Sequence, residues 1–137
     1  MKLIGRAEKI SFLNWEIEDL PAKIDTGAYT SAIHCKHIKE KDGVLEFILL
    51  CPKTEKYNNK LLQTNKYQVK SIRSSNGKKQ KRYVVSTSVV FFDKKYKIKL
   101  SLSDRGKMTY PVLIGRKFLN KKFIVDVSQK NIASKEK

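Results

Sequence analysis

An aspartate delivered by an apolar run and followed at once by threonine and glycine can hold a carboxylate ready for chemistry. Here that pattern is Ala22-Lys23-Ile24-Asp25-Thr26-Gly27-Ala28, continued by Tyr29-Thr30-Ser31-Ala32-Ile33. The glycine lets the backbone turn sharply, and the small residues around it allow another backbone to come close. Such a turn can aim backbone N–H groups and the Thr26 hydroxyl at the Asp25 carboxylate, holding it planar and ionised. Two carboxylates facing one another cannot both ionise, so they share a proton and bind one water. One then acts as base toward the water while the other donates to a substrate carbonyl. That chemistry cleaves amides with neither a metal nor a covalent intermediate. A single triplet supplies only one of the two carboxylates, and taken alone it also fits an ordinary strand-to-turn aspartate.

A second element answers the first. Tyr110-Pro111-Val112-Leu113-Ile114-Gly115-Arg116-Lys117-Phe118-Leu119 runs an apolar strand into a glycine and then into a short helix. In order and separation the two elements resemble those of retropepsins and pepsins, where an apolar-apolar-Gly element packs behind the catalytic loop. On that resemblance Asp25, Thr26 and Gly27 form the catalytic loop, and Ile114, Gly115 and Arg116 support it. Further segments narrow the likeness: Ile4-Gly5-Arg6-Ala7-Glu8, Val69-Lys70-Ser71-Ile72-Arg73-Ser74-Ser75-Asn76-Gly77, Arg82-Tyr83-Val84-Val85, Leu102-Ser103-Asp104-Arg105 and Phe123-Ile124-Val125-Asp126. With these the chain resembles the bacterial and archaeal family named as ATP-dependent zinc proteases and associated with RimK-type ATP-grasp ligases that add glutamates. The resemblance implies a retropepsin-like β-barrel, an aspartic-type peptidase role directed at acidic or glutamate-extended peptides, and a functional link to such a ligase.

The missing carboxylate has two possible sources within this reading. Asp126 lacks a following glycine and a surrounding repeat, so it reads as the polar end of a final strand. A second copy of Asp25 across a two-fold axis is therefore expected, which makes the enzyme a homodimer. The family name mentions zinc, which tests His34, Cys35 and His37 as ligands. A strand over 30–38 puts Cys35 and His37 on one face and His34 on the other, with no fourth ligand in sight. No metal and no cofactor are expected. Asp104 and Arg105 read as a local ion pair, or else as groups that orient substrate.

Ser74-Ser75-Asn76-Gly77 is a hairpin tip with basic residues on both sides. It is either a solvated turn or a flap closing over bound peptide. In the second case Ser75, Asn76 and Gly77 touch substrate together with Ala28 of the Asp25 loop, Lys78, Lys79, Lys81 and Arg82 line the approach, and Lys70, Arg73 and Arg82 meet substrate carboxylates.

Charge is the strongest compositional signal. The formal net charge is +17, and it is uneven: residues 52–99 hold fourteen Lys or Arg against Glu55 and Asp93 alone, while residues 1–51 are nearly balanced. Such a field draws in anionic partners without specifying a fold. A Lys-, Asn- and Ile-rich compositional bias accounts for part of the excess, although not for the scarcity of acids in 52–99. The alternative function is a catalytically inactive barrel that binds RNA, ribosome or another anionic partner. Against it, the aromatics form no stacking motif. No apolar run reaches the roughly 20 residues of a membrane span, and Met1 to Arg6 breaks into charge too early for a secretory signal. Cys35 and Cys51 are too few for a disulfide scaffold, so the expected compartment is a reducing cytoplasm.

The elements that must position these residues read as strands. Val44 to Leu50, Tyr83 to Phe92 and Tyr96 to Leu102 carry strand composition or period-two alternation, with Asp42-Gly43 and Asp93-Lys94-Lys95 as turns. A helix is expected only at Arg116-Lys117-Phe118-Leu119. The fold class is all-β, a single closed barrel of about eight to ten short strands. The expected domain spans 1–127, with 53–66 as a surface insertion, and 128–137 is a frayed polar tail.

Overall fold

Alternating inward Val, Ile and Leu along two long strands, β8 (Lys79–Phe91) and β9 (Lys94–Ser103), create the main wall of the molecule. Val85, Thr87 and Val89 face the interior from β8, as do Ile98, Leu100 and Leu102 from β9. The computed structural model describes residues 1–73, 77–104 and 109–135. Around this wall run β1 (Lys2–Gly5), β2 (Ala7–Phe12), β3 (Ile17–Ile24), β4 (Ser31–Lys41), β5 (Val44–Leu49), β6 (Leu61–Thr64), β7 (Gln68–Arg73), β10 (Val112–Ile114) and β11 (Phe123–Asp126). Two short helices follow β10 and β11, α1 (Arg116–Leu119) and α2 (Ile132–Lys135).

Six strands close on themselves in the order β10-β3-β2-β8-β9-β4, and β4 returns to pair with β10. The expected closed all-β barrel is therefore present, with the expected helix after Ile114-Gly115-Arg116. Its core joins Phe12, Leu20, Ile33, Leu100 and Ile114, all buried. The long strand β4 serves two sheets. Ser31 to His34 pair with β9 inside the barrel, while Cys35 to Lys41 leave it and pair with β5. Outside the ring, β5 and β6 extend this flank and β7 lies along β8.

Several local expectations are corrected. The strand from Val44 ends at Leu49, because Leu50 turns into the left-handed region at φ 68°. The β8–β9 turn is Phe92-Asp93, both at positive φ, one residue earlier than Asp93-Lys94-Lys95; the partners Phe91 and Lys94 leave room for two residues only. Within the stretch 53–66, Leu61–Thr64 forms the edge strand β6.

Residues 128–135 are docked rather than frayed. The buried Glu8 carboxylate accepts the amides of Gly5 at 2.8 Å, Ile132 at 3.0 Å and Ala133 at 2.9 Å. Arg6 donates to the Gln129 carbonyl, and Asn131 donates to that of Ala7. A carboxylate buried beside three amides gains charge-assisted bonds that offset its desolvation.

Candidate active site

Parallel pairing of β3 with β10 sets Ile24 beside Ile114, so the two strand ends leave the barrel together. Asp25 follows one and Gly115 the other. The Asp25 amide donates to the Ile114 carbonyl at 2.8 Å. The loop then turns: Ala28 donates to the Asp25 carbonyl at 3.2 Å, and Gly27 donates to the Asp25 carboxylate at 3.0 Å. Asp25 itself is half-buried, with Thr26 and Gly27 exposed. Of the two expected kinds of donor to this carboxylate, the backbone amide is in place. The Thr26 hydroxyl makes no such bond among the described residues.

The helix start clamps the back of the loop. Arg116 and Lys117 donate their amides to the Ala28 and Tyr29 carbonyls at 2.8 and 2.9 Å. The Arg116 guanidinium also donates to the Thr26 carbonyl at 3.1 Å and lies over the Tyr29 ring at 5.7 Å. Gly115 is needed for proximity, since a Cβ there would sit 2.5 Å from the Thr30 carbonyl oxygen. Ile114 is buried beneath the loop. The structure thus brings together Asp25, Thr26, Gly27, Ala28, Ile114, Gly115 and Arg116.

The basic hairpin is β7 with β8. Lys70 and Arg82 are direct partners across it, and both line an open cavity of about 380 Å³ that also reaches Thr30, Ser31 and Lys117. Arg73 pairs with Lys79 through the backbone, and Gly77 takes a φ of 81°. Ser75 and Asn76 lie outside the described residues, as does Arg105. At the hairpin's base the Tyr67 hydroxyl donates to Glu40 at 2.6 Å. That bond raises the Tyr67 phenol to about 12.

The remaining candidates have partners elsewhere in the fold. Asp126 closes β11 and accepts bonds from the Ser128 amide, the Ser128 hydroxyl and the Gln129 side chain, which hold its carboxyl below the usual range. Asp104 pairs with Lys36 at 2.8 Å and lies 3.7 Å from buried His34. The Cys35 thiol lies 3.1 and 3.2 Å from the carbonyls of His37 and Ile48, and burial pushes it up to about 12. Both cysteines are free. Among the described residues no three His, Cys, Asp or Glu side chains converge as a metal site, and no helix is long and apolar enough to cross a membrane.

Two contributors escaped the sequence reading. The Ser31 hydroxyl accepts the Gly115 amide at 3.0 Å, joining the second element to the strand after the catalytic loop. Glu8 orders the turn that adjoins it, because the Ile24 amide donates to the Arg6 carbonyl. Ser31 had no signal beyond its small size; Glu8 had one, a lone acid at a core-facing strand position.

Comparison with known proteins gives consistent matches. The RimB-like family, described as retropepsin-like aspartic endopeptidase RimB, matches residues 3–136. A probable alpha-L-glutamate ligase of Shewanella pealeana is 28% identical over 131 residues, covering 93% of this chain and 29% of that protein. Another, of Desulfotalea psychrophila, is 30% identical over 129 residues, covering 91% and 28%. The chain thus spans under a third of the length of these curated relatives. A crystal structure of a Legionella pneumophila protein with unknown function superposes with a TM-score of 0.75 at 26% identity, covering 96% of this chain and 98% of that one.

Proposed function

The chain belongs to the RimB-like family of retropepsin-like aspartic endopeptidases, and from that premise we propose that it hydrolyses peptide bonds through two Asp25 carboxylates assembled in a homodimer. The observation that carries the reading is the Asp25 loop itself, hydrogen-bonded to Ile114 at one end and clamped by Arg116 at the other. Its half-buried carboxylate receives one backbone amide and keeps acceptor capacity for a water.

A surface that could complete the pair lies next to this loop. Leu3 and Ile124 are register partners on the β1–β11 sheet, and both are exposed, at 44% and 53%. Arg6, directly after β1, bonds to Ile24 directly before Asp25. Apolar association there would bring a second catalytic loop to the first. In the step itself, one ionised Asp25 takes a proton from water as its oxygen attacks the peptide carbonyl carbon. The partner's Asp25, protonated, donates to the carbonyl oxygen. The C–N bond then breaks as the amine nitrogen takes a proton from one carboxyl of the dyad and a hydroxyl of the tetrahedral intermediate returns one to the other, giving an acid and an amine.

The substrate proposed is an acidic or glutamate-extended peptide. Lys70 and Arg82 supply cations near the loop, and the curated relatives that contain a matching segment are named as glutamate ligases. Ligation and trimming of glutamate would then reside in one functional unit.

The test is hydrolysis of a glutamate-rich peptide by the wild type and Asp25→Asn, with sedimentation to give the oligomeric state and a chelator control. Loss of activity in Asp25→Asn and in a monomerising Leu3→Asp/Ile124→Asp variant is expected. Equal rates for wild type and Asp25→Asn would sink the reading, and loss with chelator would redirect it to a metal.

A further inference from the structure

The cavity beside the catalytic loop does not include Asp25, and its lining is distinctive in charge. Among the described residues six cations surround it, Lys70, Arg82, Lys97, Lys99, Lys117 and Lys122, and no carboxylate does. Lys122 is occupied, donating to the Phe118 carbonyl at 3.0 Å and lying over the Phe118 ring. The other five have no ion-pair partner among the described residues. Confining like charges around one hollow is unfavourable until an anion enters. The floor is apolar, from Val84 and Phe118, with hydroxyls of Ser86 and Ser101 between the cations.

We infer that this cavity is a binding site for the carboxylates of an acidic peptide segment lying extended along Lys97 and Lys99, remote from the bond that Asp25 attacks. Cleavage at Asp25 rests on the peptidase reading above, whereas the binding site stands on the cavity alone. Tyr96, Ile98 and Leu100 turn inward along β9, so Lys97 and Lys99 project together from the outer face. Their spacing of two strand residues, about 6.8 Å, equals that of alternate side chains on an extended peptide. One edge of the cavity adjoins the catalytic loop, because Lys117 lines it and donates its amide to Tyr29. Thr30, also at that edge, is five residues after Asp25, which limits the separation to roughly 17 Å. A peptide of about eight residues therefore reaches from one to the other. A single-stranded nucleic acid is less well matched. Among the described residues the one aromatic ring in the lining is Phe118, and Lys122 covers it, which leaves no platform there for stacked bases.

The experiment uses the full chain as wild type, Asp25→Asn and Lys97→Glu/Lys99→Glu, with fluorescence anisotropy of labelled octaglutamate, octaglutamine and an eight-nucleotide RNA. Octaglutamate should bind wild type and Asp25→Asn equally and bind the charge-reversed variant at least tenfold more weakly, with no binding of octaglutamine. Circular dichroism checks the fold, and Lys97→Gln/Lys99→Gln replaces the reversed pair if that variant does not fold. Unchanged octaglutamate affinity in the folded variant overturns the site. Binding of RNA without octaglutamate overturns the peptide as occupant. Octaglutamate binding that depends on Lys97 and Lys99 upholds the site even where Asp25→Asn cleaves as fast as wild type, a result that rejects the peptidase reading alone.

Discussion

The Gly115 amide donates to the Ser31 hydroxyl at 3.0 Å, although 84 positions separate the two residues. The bond draws the start of β4 against the end of β10 and leaves no room for a side chain at Gly115. A Cβ there would meet the Thr30 carbonyl carbon at 2.7 Å and the Ala28 carbonyl oxygen at 2.9 Å, both backbone atoms that cannot swing aside. Gly115→Ala should destabilise the fold by about 1–3 kcal/mol through overpacking. Ser31→Ala should cost about 1–3 kcal/mol by leaving a buried amide unpaired. Denaturant midpoints measure both, and wild-type stability for Gly115→Ala would show that the loop can retreat.

Arg116 separates positioning from stability. Its guanidinium holds the Thr26 carbonyl and covers Tyr29 from an exposed position, where such contacts contribute under about 1 kcal/mol. Arg116→Lys keeps the charge but loses the planar fork. If the loop is catalytic as proposed, kcat should fall at least tenfold with little change in melting temperature. Steady-state kinetics beside thermal unfolding give the comparison, and a variant as active as wild type would remove Arg116 from the positioning of the loop.

Glu8 should be among the most costly single positions. Glu8→Ala orphans the amides of Gly5, Ile132 and Ala133, a loss of about 3 kcal/mol or more. Hydrogen exchange at Ile132 and Ala133 should accelerate strongly. Protection equal to wild type would show that other contacts hold the segment.

Glu40 anchors the base of the β7–β8 hairpin through Tyr67. Because the folded phenol titrates at about 12, above the ordinary 10, this contribution is fully present below pH 10. It is lost as pH rises from 10 through 12. Glu40→Gln should bring the Tyr67 titration, followed by ultraviolet absorbance, back toward 10 and speed hydrogen exchange along β7. An unshifted titration would contradict the Glu40 contact.

The two cysteines should differ in reactivity. The Thr54 hydroxyl beside the Cys51 thiol lowers its pKa, whereas burial raises that of Cys35. Since the thiolate is the nucleophile, alkylation at pH 8 should label Cys51 first, and Thr54→Val should slow it. Mass spectrometry of the labelled chain reads the order, and preferential labelling of Cys35 would reverse the assignment.

Local pattern sufficed for much of this protein. Alternation along Tyr96 to Leu102, the Asp42-Gly43 turn and the Gly115-Arg116 helix start were legible because each depends on neighbours one to four residues away. The two loop motifs were legible too, since each is a contiguous run, and the family resemblance they support predicted the closed barrel. Their contact was expected only through that resemblance, not from the spacing of residues. It depends on β3 and β10 lying parallel with Ile24 beside Ile114, a pairing across ninety residues that no local spacing encodes. The same holds for Ser31, an ordinary small residue until Gly115 arrives, and for Glu8, a lone acid at a core-facing position until residues 132 and 133 add two amides to that of Gly5. Lys97 and Lys99 were visible as period-two polar positions, but only the closing of the barrel gathered them with Lys70, Arg82 and Lys117 around one cavity. Sequence alone determined which residues can be buried and which can turn. Tertiary structure decided which of them meet, because charge and hydrogen-bond complementarity act through space between segments distant in the chain.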